Sequence, residues 1–272
     1  MNSRKRHAGS LLLLVALACS CTSGSTETSE GSSTVSQQVA QPEEDSPALS
    51  PFVASLLEAH GMEGLDDARI DFTFRGSRFS VERGQGSFAY TQTRDDDGGT
   101  LVSRLDNDHF TQTRNGEPVR LSARAVTGIS NSVNSVVYFA MLPLPLREAA
   151  VRIERLEAVN IDGRVHQRMR VTFTEDGGGD DHDDEFFYWF DAETKKLRFM
   201  AYRYHTGGGG VRFRVAKNQR DVDGVTFFDY DNYAYADLDV DLADLPSRRS
   251  PSEGVALALL SEIALEDIQV HR

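Results

Sequence analysis

Seven side chains in the second half of this chain have types and spacing that suit metal or acid–base chemistry. They are Asp180, Asp181, His182, Asp183, Asp184 and Glu185 in one glycine-rich loop, and His205 at the start of another. Carboxylate oxygens suit a hard divalent cation, and two imidazoles with a carboxylate suit a transition metal. Their spacing matches no EF-hand loop, zincin helix or cysteine-based zinc site. A charged, glycine-rich hairpin tip is also what keeps a sheet end solvated and unpaired, so both readings stand at this point. Other chemistry has less support. The glycines 207–210 lack the Lys-Ser/Thr ending of a phosphate loop, and there is no Gly-x-Ser-x-Gly elbow. A Schiff-base amine needs desolvation, yet beyond Lys5 the lysines are Lys195, Lys196 and Lys217, the first two in what reads as an exposed turn. No catalytic residue is assigned. The expected cofactor is none, with a divalent cation at the acidic loops as the alternative.

The elements that would bring those loops together follow from periodicity. Ser50 suits an N-cap, Pro51 the first helical position and Gly61 the C-cap. Between them Phe52, Val53, Leu56, Leu57 and His60 share one face, where His60 reads as a packed histidine. From Arg69 the period becomes two, with Ile70, Phe72 and Phe74, then Phe79 and Val81, alternating with polar residues. Strands continue to Arg114, and again over 151–235, between acidic and glycine-bearing turns. One helix interrupts them: Ile129, Val133, Val136, Val137 and Ala140 recur at helical spacing over about twelve residues, ending before Pro143. A closing helix near 255–263 and a short strand near 268–271 complete the pattern. The expected fold is mainly β: one large bent antiparallel sheet, or incomplete β-barrel meander, with two or three helices on its concave face. In such a meander the turns at 160–163, 191–194 and 220–224 share one end. The loops 175–184 and 205–210 share the other, which brings Asp180 to Glu185 near His205.

Segments 186–190 and 227–235 carry aromatic residues at both even and odd positions. A strand of that kind is covered on both faces, by core on one and by helix, loop or ligand on the other. Val133, Val137 and Phe139 on the central helix, with Tyr188 and Phe190 on the strand, are therefore candidate residues of an apolar ligand cavity. The expected activity is non-enzymatic binding of a lipid, acyl chain or lipoprotein, with a metal-binding protein or metal-dependent enzyme as the alternative.

The N-terminus carries an address. Arg4, Lys5 and Arg6 precede an apolar run from Leu11 to Ala18, followed by Cys19 and Cys21, the only two cysteines of the 272 residues. The run is of signal-peptide length and too short to span a bilayer. A cysteine directly after Leu17 and Ala18 fits a bacterial lipoprotein signal, in which the thiol takes the lipid. Residues 1–18 are thus expected to be cleaved and Cys19 lipidated, with Cys21 the alternative. Residues 19–49 hold scarcely an apolar side chain and read as a disordered tether, and 50–272 as one folded domain. The formal charge of −13 argues against a nucleic-acid partner and against docking on anionic headgroups. Membrane attachment is therefore expected through the N-terminal lipid, in the bacterial envelope, at the outer membrane facing the periplasm.

Several stretches carry a family resemblance: 134–143, 177–185 with Tyr188 and Trp189, 201–206 with the glycines 207–210 and the alternation of 211–214, and 228–233. Together they resemble an uncharacterised family of bacterial envelope lipoproteins over about 50–272. More distantly, the strand 188–191, its short turn and the restart at 195–198 are similar to LolA/LolB-type lipoprotein carriers. That resemblance implies a bent antiparallel sheet around a hydrophobic cavity, helices as a lid, and an apolar ligand.

Overall fold

The computed structural model describes residues 50–84, 86–174, 183–205, 208–249 and 257–272. The expected signal segment, Cys19, Cys21, the tether to 49, and Asp180, Asp181 and His182 lie outside the described residues.

The first element is helix α1, Pro51–His60, and it ends where the sequence suggested. Gly61 has a φ of 66° and sits so close to Gly224 that a Cβ would fall 1.7 Å from its carbonyl oxygen. Only glycine meets both demands. Six strands follow as a meander: β1 Arg69–Phe74, β2 Ser77–Gly84, β3 Ser87–Asp96, β4 Gly99–Asp106, β5 Phe110–Arg114 and the two-residue β6 Glu117–Pro118. Helix α2 runs Ala123–Ala140, 18 residues against the expected twelve. Ser122 caps it, its side chain accepting from the Ala125 amide at 3.3 Å. The extra turns are missed by periodicity because Ala123, Arg124, Thr127 and Gly128 are exposed and carry no apolar signal.

The second meander comprises β7 Val151–Ile161, β8 Arg164–Phe173, β9 Glu185–Asp191, β10 Leu197–Tyr204, β11 Gly210–Val222 and β12 Val225–Tyr235. The chain closes with β13 Ala258–Ile263 and β14 Glu266–His271. The architecture is mainly β, antiparallel throughout and not closed into a barrel, as expected, but its hydrogen bonds form two sheets of seven strands where one was expected. Their orders are β14-β1-β2-β3-β4-β5-β6 and β13-β12-β11-β10-β9-β8-β7. The division falls at the C-terminus: β13 pairs with β12, and β14, only two residues later, pairs with β1. The edges of β13 and β14 thus lie in different sheets, although the chain joins them.

The expected closing helix is corrected by β13. Residues 258–263 pair with β12, Tyr230 opposite Ile263 and Asn232 opposite Ser261. Their apolar spacing fits a helix as well as a strand, and the open edge of β12 supplies the backbone partners that decide it. Leu259 and Leu260 remain exposed on that edge strand.

Two cores result. The larger joins the inner faces of both sheets to both helices, with Val53 and Leu56 from α1, Val133 and Val137 from α2, Phe72 and Phe79 from the first sheet, and Tyr188 and Phe227 from the second. The smaller lies on the opposite face of the second sheet. There Phe187, Trp189, Phe199 and Phe213 are covered by Val240, Leu242 and Leu245 from the segment after β12. The aromatic residues on both faces of β9 are explained by this pair: Phe186, Tyr188 and Phe190 point into the first core, Phe187 and Trp189 into the second.

Candidate functional site

Where the inner faces of the two sheets meet α2, packing is incomplete and leaves a cavity of about 840 Å³. This lies within the ~300–1,000 Å³ typical of small-molecule sites. Helix α2 supplies Val136, Val137 and Phe139; the first sheet supplies Phe74, Phe88 and Tyr90. Opposite them stand Phe186, Tyr202, Arg212, Arg214 and Tyr230 of the second sheet, with Ile263 and Leu265 from the C-terminal crossing. The aromatic wall is continuous. The Phe139 ring lies 5.3 Å from Tyr202, and Phe186 stacks on Tyr202 at 5.3 Å with an interplanar angle of 18°.

Of the five residues expected at a ligand cavity, Val137 and Phe139 line it. Val133, Tyr188 and Phe190 lie behind that wall, fully packed in the core. The Tyr188 hydroxyl meets that of Tyr138 at 2.8 Å, and Tyr138 also lines the cavity. Burial pushes the phenols of Tyr138, Tyr188 and Tyr230 up, so all three are neutral hydrogen-bonding groups at physiological pH. Phe190 instead packs edge-on against His60, 6.1 Å between ring centroids.

The acidic loop converges with His205 in part. Buried Asp184 accepts the His205 amide at 3.1 Å, and its Oδ1 lies 3.5 Å from the His205 ring. Glu185 is turned to two guanidinium groups, Arg170 at 2.5 Å and Arg203 at 2.9 Å, so both its oxygens are engaged. Asp183 is exposed. Among the described residues, Asp106, Asp108 and His109 at the β4–β5 turn form the one group of three with metal-ligating atoms close together. That turn explains itself: Asp106 Oδ1 accepts the amides of Asp108 and His109, each at 3.1 Å.

At the other end of the second sheet, the turns near 162 and 191 come together with the irregular stretch of β11 at 217–219 around a smaller pocket of about 400 Å³. It contains Lys196, which is half-buried where the sequence suggested an exposed turn. The ammonium donates to the Ala59 carbonyl and to Thr226 Oγ1 at 2.6 Å, fastening α1 to the sheet. Desolvation lowers its pKa, with Asp221 opposing, and its two hydrogen bonds account for its position structurally.

The larger cavity is the candidate site. A family model described as "Family of unknown function (DUF6503)" matches residues 58–263, which include the lining residues of that cavity except Leu265. The chain belongs to the DUF6503 family. No curated protein sequence matches it. Among solved structures it is similar to a DUF1329 family protein from Desulfovibrio piger, at 10% identity over 80% of this chain and 90% of that one, with a TM-score of 0.45. It is similar also to a LolA superfamily protein from Nitrosomonas europaea, at 11% identity over 81% and 91%, with a TM-score of 0.42. The lipoprotein LppX of Mycobacterium tuberculosis aligns over 57% of this chain and 88% of its own, at 11% identity and a TM-score of 0.26. At these identities and TM-scores the likenesses carry no argument about activity.

The arginines of the cavity were not found by reading the sequence. They alternate with Val211, Phe213 and Val215 along β11, and strict apolar–polar alternation is the pattern of a strand with one solvated face. The second core takes the odd-numbered residues instead, and the even-numbered ones, Arg212, Arg214 and Ala216, turn inward. A usable signal was the aromatic content of both faces of β9 and β12, which marks the sheet as covered on both sides.

Proposed function

We propose that this DUF6503 protein is a non-enzymatic binding module that holds an apolar ligand, a lipid or acyl chain, between its two sheets. In this reading it is a lipid-anchored protein of the bacterial envelope, tethered through Cys19. The observation that carries the binding role is the cavity of about 840 Å³ walled by α2 and the inner faces of both sheets. Each buried CH₂ contributes about 0.8 kcal/mol. A dozen methylenes therefore offset much of an association cost of ~4–15 kcal/mol. The neutral phenols beside the cavity suit hydrogen bonding better than proton transfer at neutral pH. The anchor and envelope location rest on the basic start, the apolar run and the cysteine that follows Leu17 and Ala18.

The binding role is tested with the uncharged dye N-phenyl-1-naphthylamine, whose fluorescence rises in apolar surroundings. The wild-type chain is expected to bind one dye per molecule and release it to hexadecanol. Val136→Asp, at a half-buried cavity position, is expected to weaken binding at least tenfold with an unchanged circular dichroism spectrum, because it places a carboxylate in the path of an apolar chain. A wild-type protein that leaves the dye's fluorescence unchanged contradicts the proposal.

A further inference from the structure

Besides the exposed Arg75, two arginines on one strand line the candidate cavity, and among the described residues neither forms an ion pair. Arg214 is 8% exposed, and its guanidinium lies over the Phe139 ring, 3.9 Å from the centroid. Its Nε donates to Asn232 Oδ1 at 3.3 Å and its Nη2 to the Tyr202 hydroxyl at 2.8 Å. Arg212, two residues earlier on the same face of β11, donates to the Tyr204 hydroxyl at 2.6 Å and to its neighbour's carbonyl. All these partners are neutral. Among the described residues neither arginine forms an ion pair, and Nη1 of Arg214 makes no hydrogen bond.

Three other half-buried arginines of this protein are ion-paired. Arg83, which lines the same cavity, is paired with Glu148; Arg203 is paired with Glu185, and Arg220 with Asp229. Carboxylates are abundant here, 42 acidic side chains against 29 basic ones. Asp184 lines the cavity as well, but its carboxylate accepts the His205 amide. A buried cation is costly unless paired, and two on one strand face raise each other's cost. An arginine fork with a free N–H is also the group best matched to carboxylate or phosphate oxygens.

We propose that Arg212 and Arg214 form the headgroup site for an anionic amphiphile, an oxyanion carried on an acyl chain. This rests on the apolar-ligand reading above and specifies its ligand. The oxyanion completes the charge balance of the two guanidinium groups, while the chain lies along the aromatic wall of Phe139, Phe186 and Tyr202. Carboxylate and phosphate headgroups share the required chemistry.

The test is a set of titrations of the folded chain with hexadecanoate, hexadecyl phosphate, hexadecanol and inorganic phosphate. At least one of the two anionic amphiphiles is expected to bind ten times or more tighter than hexadecanol, and the tighter one names the headgroup. Arg214→Gln is expected to remove that preference, bringing the affinities for the anionic amphiphiles and for hexadecanol within about twofold of each other. Arg212→Gln, at a half-exposed position that tolerates substitution more readily, is expected to reduce it too, and decides the matter if Arg214→Gln does not fold. Equal affinity for acid, phosphate and alcohol overturns the headgroup site and leaves the apolar cavity standing; so does a preference that survives in the folded variants. Binding of inorganic phosphate with no binding of any amphiphile overturns both.

Discussion

Trp189→Ala is expected to cost about 3–5 kcal/mol of folding stability. The indole is fully buried in the smaller core, beside Phe187 and Phe213 at centroid distances of 6.0 and 6.5 Å, under Leu242 and Leu245. Its removal leaves a cavity on the face of the second sheet turned away from the ligand site. Because Nε1 has no hydrogen-bond partner among the described residues, Trp189→Phe loses volume but no hydrogen bond and is expected to cost well under half as much. Urea unfolding followed by circular dichroism measures both. Equal costs for the two substitutions contradict this account of the outer face as packing. Since Trp189 is the chain's single tryptophan, its emission in the wild type also reports this core directly.

Acidification from pH 6.5 to pH 4 is expected to remove about 3 kcal/mol of stability through His60 alone. The imidazole is buried with no exposed surface, its Nδ1 donating to the Leu56 carbonyl at 2.7 Å and its Nε2 accepting the Leu197 amide at 3.2 Å. That arrangement fits the neutral ring only. Burial is the main reason its pKa falls to about 4; the Leu56 bond opposes the shift and the Lys196 ammonium adds to it. The folded state therefore binds this proton less readily than the unfolded chain, whose histidine titrates near 6.5. The stabilisation is complete above pH 6.5 and is lost as the pH falls towards 4. Desolvation lowers His166 in the same direction. In His60→Gln the stability at each pH falls, but the slope between pH 6.5 and 4 is expected to flatten. Parallel slopes for wild type and variant, from urea unfolding at each pH, contradict this role.

Much of the first sheet was legible because its strands alternate cleanly: Ile70 and Phe72 inward, Asp71 and Thr73 less so. The span of α1 was equally clear, since Pro51 and Gly61 punctuate it at both ends. Failure came where a residue's environment is set by something distant in the chain. Residues 258–263 became a strand because β12 offered an edge, and the hydrogen bonds divided into two sheets because β14 found β1, about 200 residues earlier. The candidate site shows the same limit. Helix α2 displayed Val137 by its spacing, but Val133 shares that spacing and lies behind the wall. Arg212 and Arg214 were hidden by the apolar residues alternating with them, which serve a second core that the sequence pattern of β11 does not reveal. The convergence of Asp184 with His205 followed from hairpin alternation alone, whereas the commitment of Glu185 to Arg170 and Arg203 needed the side-chain geometry.

The central claim, that the space between the two sheets holds an apolar chain, is tested most directly by native mass spectrometry. The full-length protein would be isolated gently from the cells that produce it, beside a lipid carrier known to retain its ligand under the same conditions. The account predicts a one-to-one adduct with the mass of an acyl-chain lipid, released on collisional activation and missing from Val136→Asp. A wild-type protein that flies at its bare mass, while the control carrier keeps its lipid, would contradict it.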